Sequence, residues 1–255
     1  GANVGAQARA AGRSIESAAR IARHAFFEQA RVHFAADVVA LGHTRDDQAE
    51  TFLLRLLRGA GARGLGGMHH RRGIVVRPLL ECRRIVLREY LREHRIAFVD
   101  DESNADVSIP RNRVRAELLP LLESRFNPAV VNALASAADV ARAEWAWLRE
   151  VAAAEASRLC RREPERWTID AAGISQLPIP VARVVLRTVM EEAAVNHSVS
   201  FRHVEEARRL AASGGGPVHG PRCVVERCGP VLVLKTRGAG ARGRPVPVDA
   251  AAGRG

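Results

Sequence analysis

The stretch from Val38 to Gly59 constrains this chain most. An apolar run, Val38-Val39-Ala40-Leu41-Gly42, leads directly into His43-Thr44-Arg45-Asp46-Asp47-Gln48-Ala49-Glu50-Thr51. The first run reads as a buried strand. After it, Ala49, Phe52, Leu53, Leu56 and Leu57 recur at helical spacing. Thr44 or Asp46 can cap that helix and Gly59 can end it. A strand therefore runs into a helix, with His43, Asp46, Asp47 and Glu50 gathered at the junction. In an open α/β sheet, ligands bind at the carboxyl ends of strands. Asp47 and Glu50 lie three apart and share a helix face. Two carboxylates so placed suit Mg2+, which takes oxygen ligands and bridges phosphates. The plainer alternative is that acidic residues in a first turn only complement the helix dipole. The density of His, Asp, Gln, Glu and Arg on one short element argues for more than a cap.

Charge points the same way. The 255 residues carry 39 Lys+Arg against 28 Asp+Glu, a net charge of +11, and Lys235 is the only lysine. A strongly basic chain suits phosphate or nucleic-acid partners, and arginine favours bidentate phosphate contacts. A GC-rich genome would give the same Arg and Ala bias, so charge is support only. Cys82, Cys160, Cys223 and Cys228 contain no Cys-x-x-Cys pair and no zinc spacing. Buried free thiols in a reduced, cytoplasmic protein are expected, although Cys223 and Cys228 flank a hairpin and could approach. No run is long and apolar enough to span a membrane, and no signal peptide is visible.

In chain order, residues 1–13 lack a clear period and read as the remainder of a preceding element. Ser14 caps a helix whose buried face is expected at Ile15, Ala18, Ala19, Ala22, Phe26 and Ala30, with Arg20 and Arg23 on a second face. Those arginines either face solvent or point at a phosphate. The glycine-rich Gly59 to Met68 either cradles an anion or simply connects. Ile74 to Leu80 reads as a second strand, Arg84 to His94 as an amphipathic helix and Ile96 to Val99 as a third strand. This alternation argues for a parallel sheet. Asp100 to Asn104 is a turn. Pro110 opens a helix on which Arg111 and Arg115 share a face beside Asn112. That face suits RNA backbone contact or is a solvated surface. Asn127-Pro128 starts a long amphipathic helix toward Arg161, so a domain boundary is expected near Phe126. Trp167 to Asp170, helices over 181–193 and 201–212, and a hairpin of Arg222–Arg227 with Val231–Leu234 follow. The expected division is 1–126, 127–237 and a disordered tail, 238–255.

These motifs resemble the bacterial tRNA(Ile)-lysidine synthase family of the PP-loop (N-type ATP pyrophosphatase) superfamily. The carriers are Gly42 to Thr51 continuing through Leu53-Leu54-Arg55-Leu56-Leu57-Arg58-Gly59, then Arg77-Pro78-Leu79-Leu80 with Arg84, Ser103-Asn104, and Arg111-Asn112-Arg113-Val114-Arg115. Upstream, Glu16-Ser17-Ala18-Ala19-Arg20-Ile21-Ala22-Arg23 is similar to the family's E-x-A-A-R-x-x-R helix. The resemblance is close over residues 12–122 and weaker beyond. It implies a Rossmann-like parallel sheet, with the first strand and phosphate loop outside this sequence, and then a smaller, mainly helical domain with a C-terminal hairpin. It implies ligation of L-lysine to C2 of the wobble cytidine of tRNA(Ile) with a CAU anticodon, using ATP and Mg2+. By the same resemblance Asp47, Glu50, Arg20 and Arg23 are catalytic, with Asp47 the candidate Mg2+ ligand. His43, Asp46 and Arg55 meet ATP or lysine. Arg77, Arg84, Asn104, Arg111, Asn112, Arg113 and Arg115 meet tRNA. A homodimer is left open. The family's S-G-G-x-D-S phosphate loop does not occur in the sequence. The expectation is therefore a fragment of a longer product, inactive or weakly active alone. The alternatives are a non-catalytic tRNA-binding remnant or another PP-loop tRNA-modifying enzyme. A thiolase of that kind would use the Cys-x-x-Cys pairs that this chain lacks.

Overall fold

A computed structural model describes residues 4–10, 15–99, 106–164, 166–195 and 197–236. Ser14, Asp100 to Asn104 and the tail 238–255, all singled out in the sequence, lie outside the described residues. The chain divides into two compact units, Gly1–Trp145 and Ala146–Gly255. Among the described residues no helix is long and apolar enough to cross a membrane.

In the first unit, α1 (Val4–Ala10) packs on α2 (Ile15–His33). Residues 4–10 of the segment without a clear apolar period are thus helical, as alanine's high helix propensity allows. On α2, Ala18 is buried but Phe26 is 64% exposed. The expected buried face therefore holds only in part, because the main neighbour of α2 is α1 and not a sheet. Strand β1 (Val39–Ala40) pairs in parallel with β3 (Val75–Val76), in register Val39 with Val75. The parallel pairing expected from the alternation is present. β2 (Arg71–Arg72), unforeseen, adds an antiparallel edge to β3 through a turn at Gly73, whose φ is +59°, a conformation glycine adopts without cost. Ile96 to Val99 forms no strand. Val99 is 93% exposed, so the segment has no buried face to hold it in a sheet.

Helix α3 (Arg45–Leu57) is the hub. Thr44 is its N-cap, in a capping box with Asp47. Ala49 and Leu53 pack against Val114, Leu119 and Val131. Each buried leucine or valine of this set contributes about 1.5–3 kcal/mol. The short helix α4 (Ala62–Leu65) lies in the glycine-rich stretch, and α5 (Arg84–Glu93) follows β3. Helix α6 (Pro110–Arg113) continues as a π-helical stretch, Val114–Leu118, into α7 (Leu119–Arg125). Pro120 has no N–H to give and its ring crowds the preceding turn. Widening to π geometry just before it relieves that conflict.

Helix α8 (Val130–Leu159) begins in the first unit and ends in the second. The second unit holds β4 (Cys160–Arg162), β5 (Arg166–Asp170), α9 (Ala171–Gln176), α10 (Ile179–Ala193), α11 (Phe201–Ser213), β6 (Val218–Gly220), β7 (Cys223–Cys228) and β8 (Val231–Thr236). The strands form one antiparallel sheet in the order β4-β5-β8-β7-β6. The expected hairpin is its β7–β8 part. Alternation buries Ile169, Val225, Leu232 and Leu234, and helix α10 buries Val185, Leu186, Val189 and Met190. The described cysteines are free thiols. Cys223 and Cys228 sit on the same strand, and burial pushes the Cys160 thiol up to about 12.

Candidate functional site

The strand-to-helix junction brings charged side chains from four elements to one place. Asp47 and Glu50 come from α3, Arg84 from the first turn of α5, Arg111 from α6 and Arg115 from the π-helical stretch. Glu50 has no exposed surface and Asp47 is also buried. One oxygen of Glu50 accepts from Arg84 Nη2 at 3.0 Å and Arg115 Nε at 2.7 Å. The other accepts from Arg111 Nε at 2.8 Å and Arg115 Nη2 at 3.1 Å. Asp47 Oδ1 accepts from Arg84 and Arg111 at 3.0 Å each and from Arg115 at 3.3 Å. Its Oδ2 takes the Thr44 N–H and hydroxyl, both at 2.8 Å.

Two carboxylates thus hold three guanidiniums, leaving one positive charge in excess. The arginine side chains remain 26–37% exposed, so the excess charge is open to solvent. Burial alone would push the Asp47 carboxyl up. The Thr44 hydrogen bonds, with Arg84 and Arg111, outweigh it and hold the group below the ordinary aspartate range. Arg115 is raised, chiefly by its hydrogen bond to Glu50.

The other singled-out residues surround this cluster in different ways. His43 Nδ1 accepts from Arg77 Nε at 3.2 Å, which leaves the ring proton on Nε2. Burial first, and then Arg77, Arg111 and Arg23, depress its pKa despite Asp47. His43 is therefore neutral, and Arg23 lies within its electrostatic reach. Arg77 also donates to the His69 carbonyl at 2.8 Å. Asp46 accepts the Arg84 backbone N–H at 2.7 Å and the Arg83 guanidinium at 3.3 Å. It thus braces the start of α5 and holds Arg84 at the site. Arg55 turns away, donating to the carbonyls of Gly64 and Gly67 at 2.6 and 3.0 Å. Asn112 is buried and bonds the Asp106 carbonyl at 3.0 Å, and Arg113 bonds the Val107 carbonyl at 3.1 Å. The side chain of Arg20, and Asn104 altogether, lie outside the described residues.

Gln48 was not singled out by sequence reasoning as a functional residue. Its amide is buried and makes a reciprocal pair with the Met68 backbone at 3.2 and 2.7 Å. Arg142 of α8 donates to the Met68 and Gly66 carbonyls at 2.7 and 3.1 Å. The glycine-rich stretch is therefore tied down at its end. The only hint in the sequence was an amide next to Ala49 on the apolar face of α3.

The oxygens of Asp47 are taken by Thr44 and three guanidiniums. That donor set does not suit Mg2+, which needs unencumbered oxygen ligands. Among the described residues no group of three or more His, Cys, Asp or Glu is placed to hold a metal ion.

Residues 2–122 match the PP-loop domain family, and the junction and its charged cluster lie inside that span. This part of the chain is similar to PP-loop domains. The chain is also similar to proteins named tRNA(Ile)-lysidine synthase. With that of Solibacter usitatus it shares 41% identity, over 80% of this chain and 47% of the relative. With that of Streptomyces coelicolor it shares 37%, over 86% and 64%. With that of Thermobifida fusca it shares 39%, over 80% and 62%. The chain thus spans between about half and two thirds of these relatives, and the similarity extends past the PP-loop domain into the residues that follow it.

Proposed function

We propose that the chain serves ATP-dependent ligation of L-lysine to C2 of the wobble cytidine in a CAU-anticodon tRNA(Ile). The observation that carries this reading is the Asp47–Glu50 pair, locked to Arg84, Arg111 and Arg115 beside His43, in a span that matches the PP-loop domain family and in a chain whose relatives bear the lysidine synthase name. In this reading ATP, carrying its own Mg2+, activates the C2 carbonyl oxygen as an adenylate and pyrophosphate leaves. The lysine amine then attacks C2 and AMP departs. Negative charge builds on the phosphates in the first step, and fixed cations stabilise it without reorganising.

Asp47 and Glu50 set the three guanidiniums in a fixed array whose excess positive charge faces the phosphates. Arg23 and Arg20 are the residues proposed to contact the nucleotide. His43, neutral with its proton on Nε2, offers a hydrogen-bond donor to a substrate oxygen. Asp46 acts through Arg84, and Arg55 through the glycine-rich stretch. Arg77, Arg84, Asn104, Arg111, Asn112, Arg113 and Arg115 orient the anticodon arm. Residues 1–126 form the catalytic domain and 127–237 the tRNA-facing domain.

The test is incorporation of labelled lysine into a CAU-anticodon tRNA(Ile) transcript. The expected result is weak or no ligation by these 255 residues alone. With an S-G-G-x-D-S strand-loop segment joined ahead of Gly1, ligation should proceed with one pyrophosphate released per lysine. Asp47→Ala in the joined protein should abolish pyrophosphate release. Tight tRNA binding without ATP-dependent turnover in the joined protein would instead support a non-catalytic tRNA-binding role.

A further inference from the structure

Helix α11 and the strand after it frame a second basic site, far along the chain from the charged cluster. A cleft of about 520 Å3 is lined by Arg202, Arg209, His219 and the loop Gly214-Gly215-Gly216. Arg202 and Arg209 are seven residues apart, two turns along one helix face. Arg202 is held by Glu206 at 2.9 Å. Arg209 is exposed, and among the described residues its guanidinium has no hydrogen-bond or ion-pair partner. The C-terminal end of α11 would ordinarily repel an anion. Here that end is already satisfied. Arg227 donates to the carbonyls of Leu210 and Ala211 at 3.4 and 2.9 Å, and the Gly214 N–H bonds the Leu210 carbonyl at 3.0 Å.

We infer that this cleft binds a backbone phosphate of RNA, with Arg209 as its principal contact. The lining holds no Phe, Tyr or Trp, and His219 is its one ring. Two arginines against a single imidazole favour phosphate recognition over base readout. An arginine without an internal partner has lost nothing by folding and gives its full fork to a phosphate. The cleft is open and lies on an exposed helix face, so a long polyanion can lie across it. This inference rests on tRNA being the substrate, and it adds a contact in the second unit that the PP-loop domain does not supply.

The test is binding of the CAU-anticodon tRNA(Ile) transcript to the full chain across a salt series, read by fluorescence anisotropy. Arg209→Ala should weaken binding about 3–10-fold near 0.1 M salt and reduce the slope of log affinity against log salt by about one. Arg209→Glu should weaken it further. Arg158→Ala, on an exposed arginine outside the cleft, should change neither. Unchanged affinity and slope in both Arg209 variants, with wild-type binding intact, would overturn this site and leave the proposed function standing. Absence of salt-dependent tRNA binding by the wild-type chain would overturn both. If Arg209→Ala leaves tRNA affinity unmoved but abolishes binding of inorganic phosphate by the chain, the ligand is a free phosphate and the RNA assignment fails.

Discussion

At residue scale the site turns on Glu50. A carboxylate without exposed surface stays ionised only where opposite charge and hydrogen bonds replace water. Glu50 has four such bonds from three arginines. Glu50→Gln keeps the volume and removes the charge, leaving the guanidiniums to repel one another around Asp47. Breaking a buried ion pair costs about 3–5 kcal/mol. The arginines here can retreat toward water, so about 3 kcal/mol is expected. A lower urea midpoint with an unchanged m-value would show it; a midpoint within error of wild type would contradict the picture. Thr44→Ala separates capping from chemistry. It removes one hydrogen bond to Asp47 and half of the capping box, at about 1 kcal/mol. A larger loss of lysine ligation in the joined protein than this stability loss explains would show that Thr44 also sets the Asp47 geometry.

At element scale, α3 ties the glycine-rich stretch to the site through Gln48. Gly67 has φ of +62°, and a Cβ there would fall 2.5 Å from the Gln48 side-chain oxygen. Gly67→Ala should therefore cost about 1–3 kcal/mol, from strain and a broken amide pair. Faster proteolytic nicking between Gly59 and Met68 should accompany the lower melting temperature. An unshifted melting temperature would mean that the amide pair carries no weight. The α3 and α5 segments, the parallel β1–β3 pairing and the long α8 helix were legible because their apolar residues kept a clean period. Asp47 and Glu50 were legible because a shared helix face follows from spacing alone. Which way Arg111 and Arg115 point was not. A basic helix face reads alike whether it meets solvent, RNA or two carboxylates distant in sequence. Ile96 to Val99 misled for a related reason: β propensity in four residues says nothing about a neighbour to pair with. The strands β2, β4 and β6 are two or three residues long, too short to show any period.

At the scale of the whole molecule, each unit holds a carboxyl below its ordinary range. In the first, Asp47 lies below the ordinary aspartate range. In the second, Glu205 is brought down to about 2, chiefly by its hydrogen bond from Arg183 at 2.6 Å, with Arg208 at 3.3 Å adding to it. A carboxyl whose pKa is lower when folded binds more protons when unfolded, so stability rises with pH across that interval. The contribution of Glu205 is complete above its unfolded value near 4.5 and drains away as pH falls toward about 2. Asp47 adds to this in the same direction from the aspartate range downward. Meanwhile protonation of the remaining carboxylates raises an already positive net charge of +11, and self-repulsion grows. The chain should thus lose melting temperature steeply below about pH 4.5 and resist mild acid above it. Glu205→Gln isolates one component. Its stability deficit against wild type should be constant from pH 8 to pH 5, then narrow between about 4.5 and 2 as the wild-type carboxyl takes up its proton. Arg183 lies 5.0 Å from the Phe201 ring centroid, so Arg183→Ala would remove packing as well as charge and is the poorer probe. A deficit for Glu205→Gln that stays constant through pH 3 would show that the Arg183 pair contributes shape and not charge.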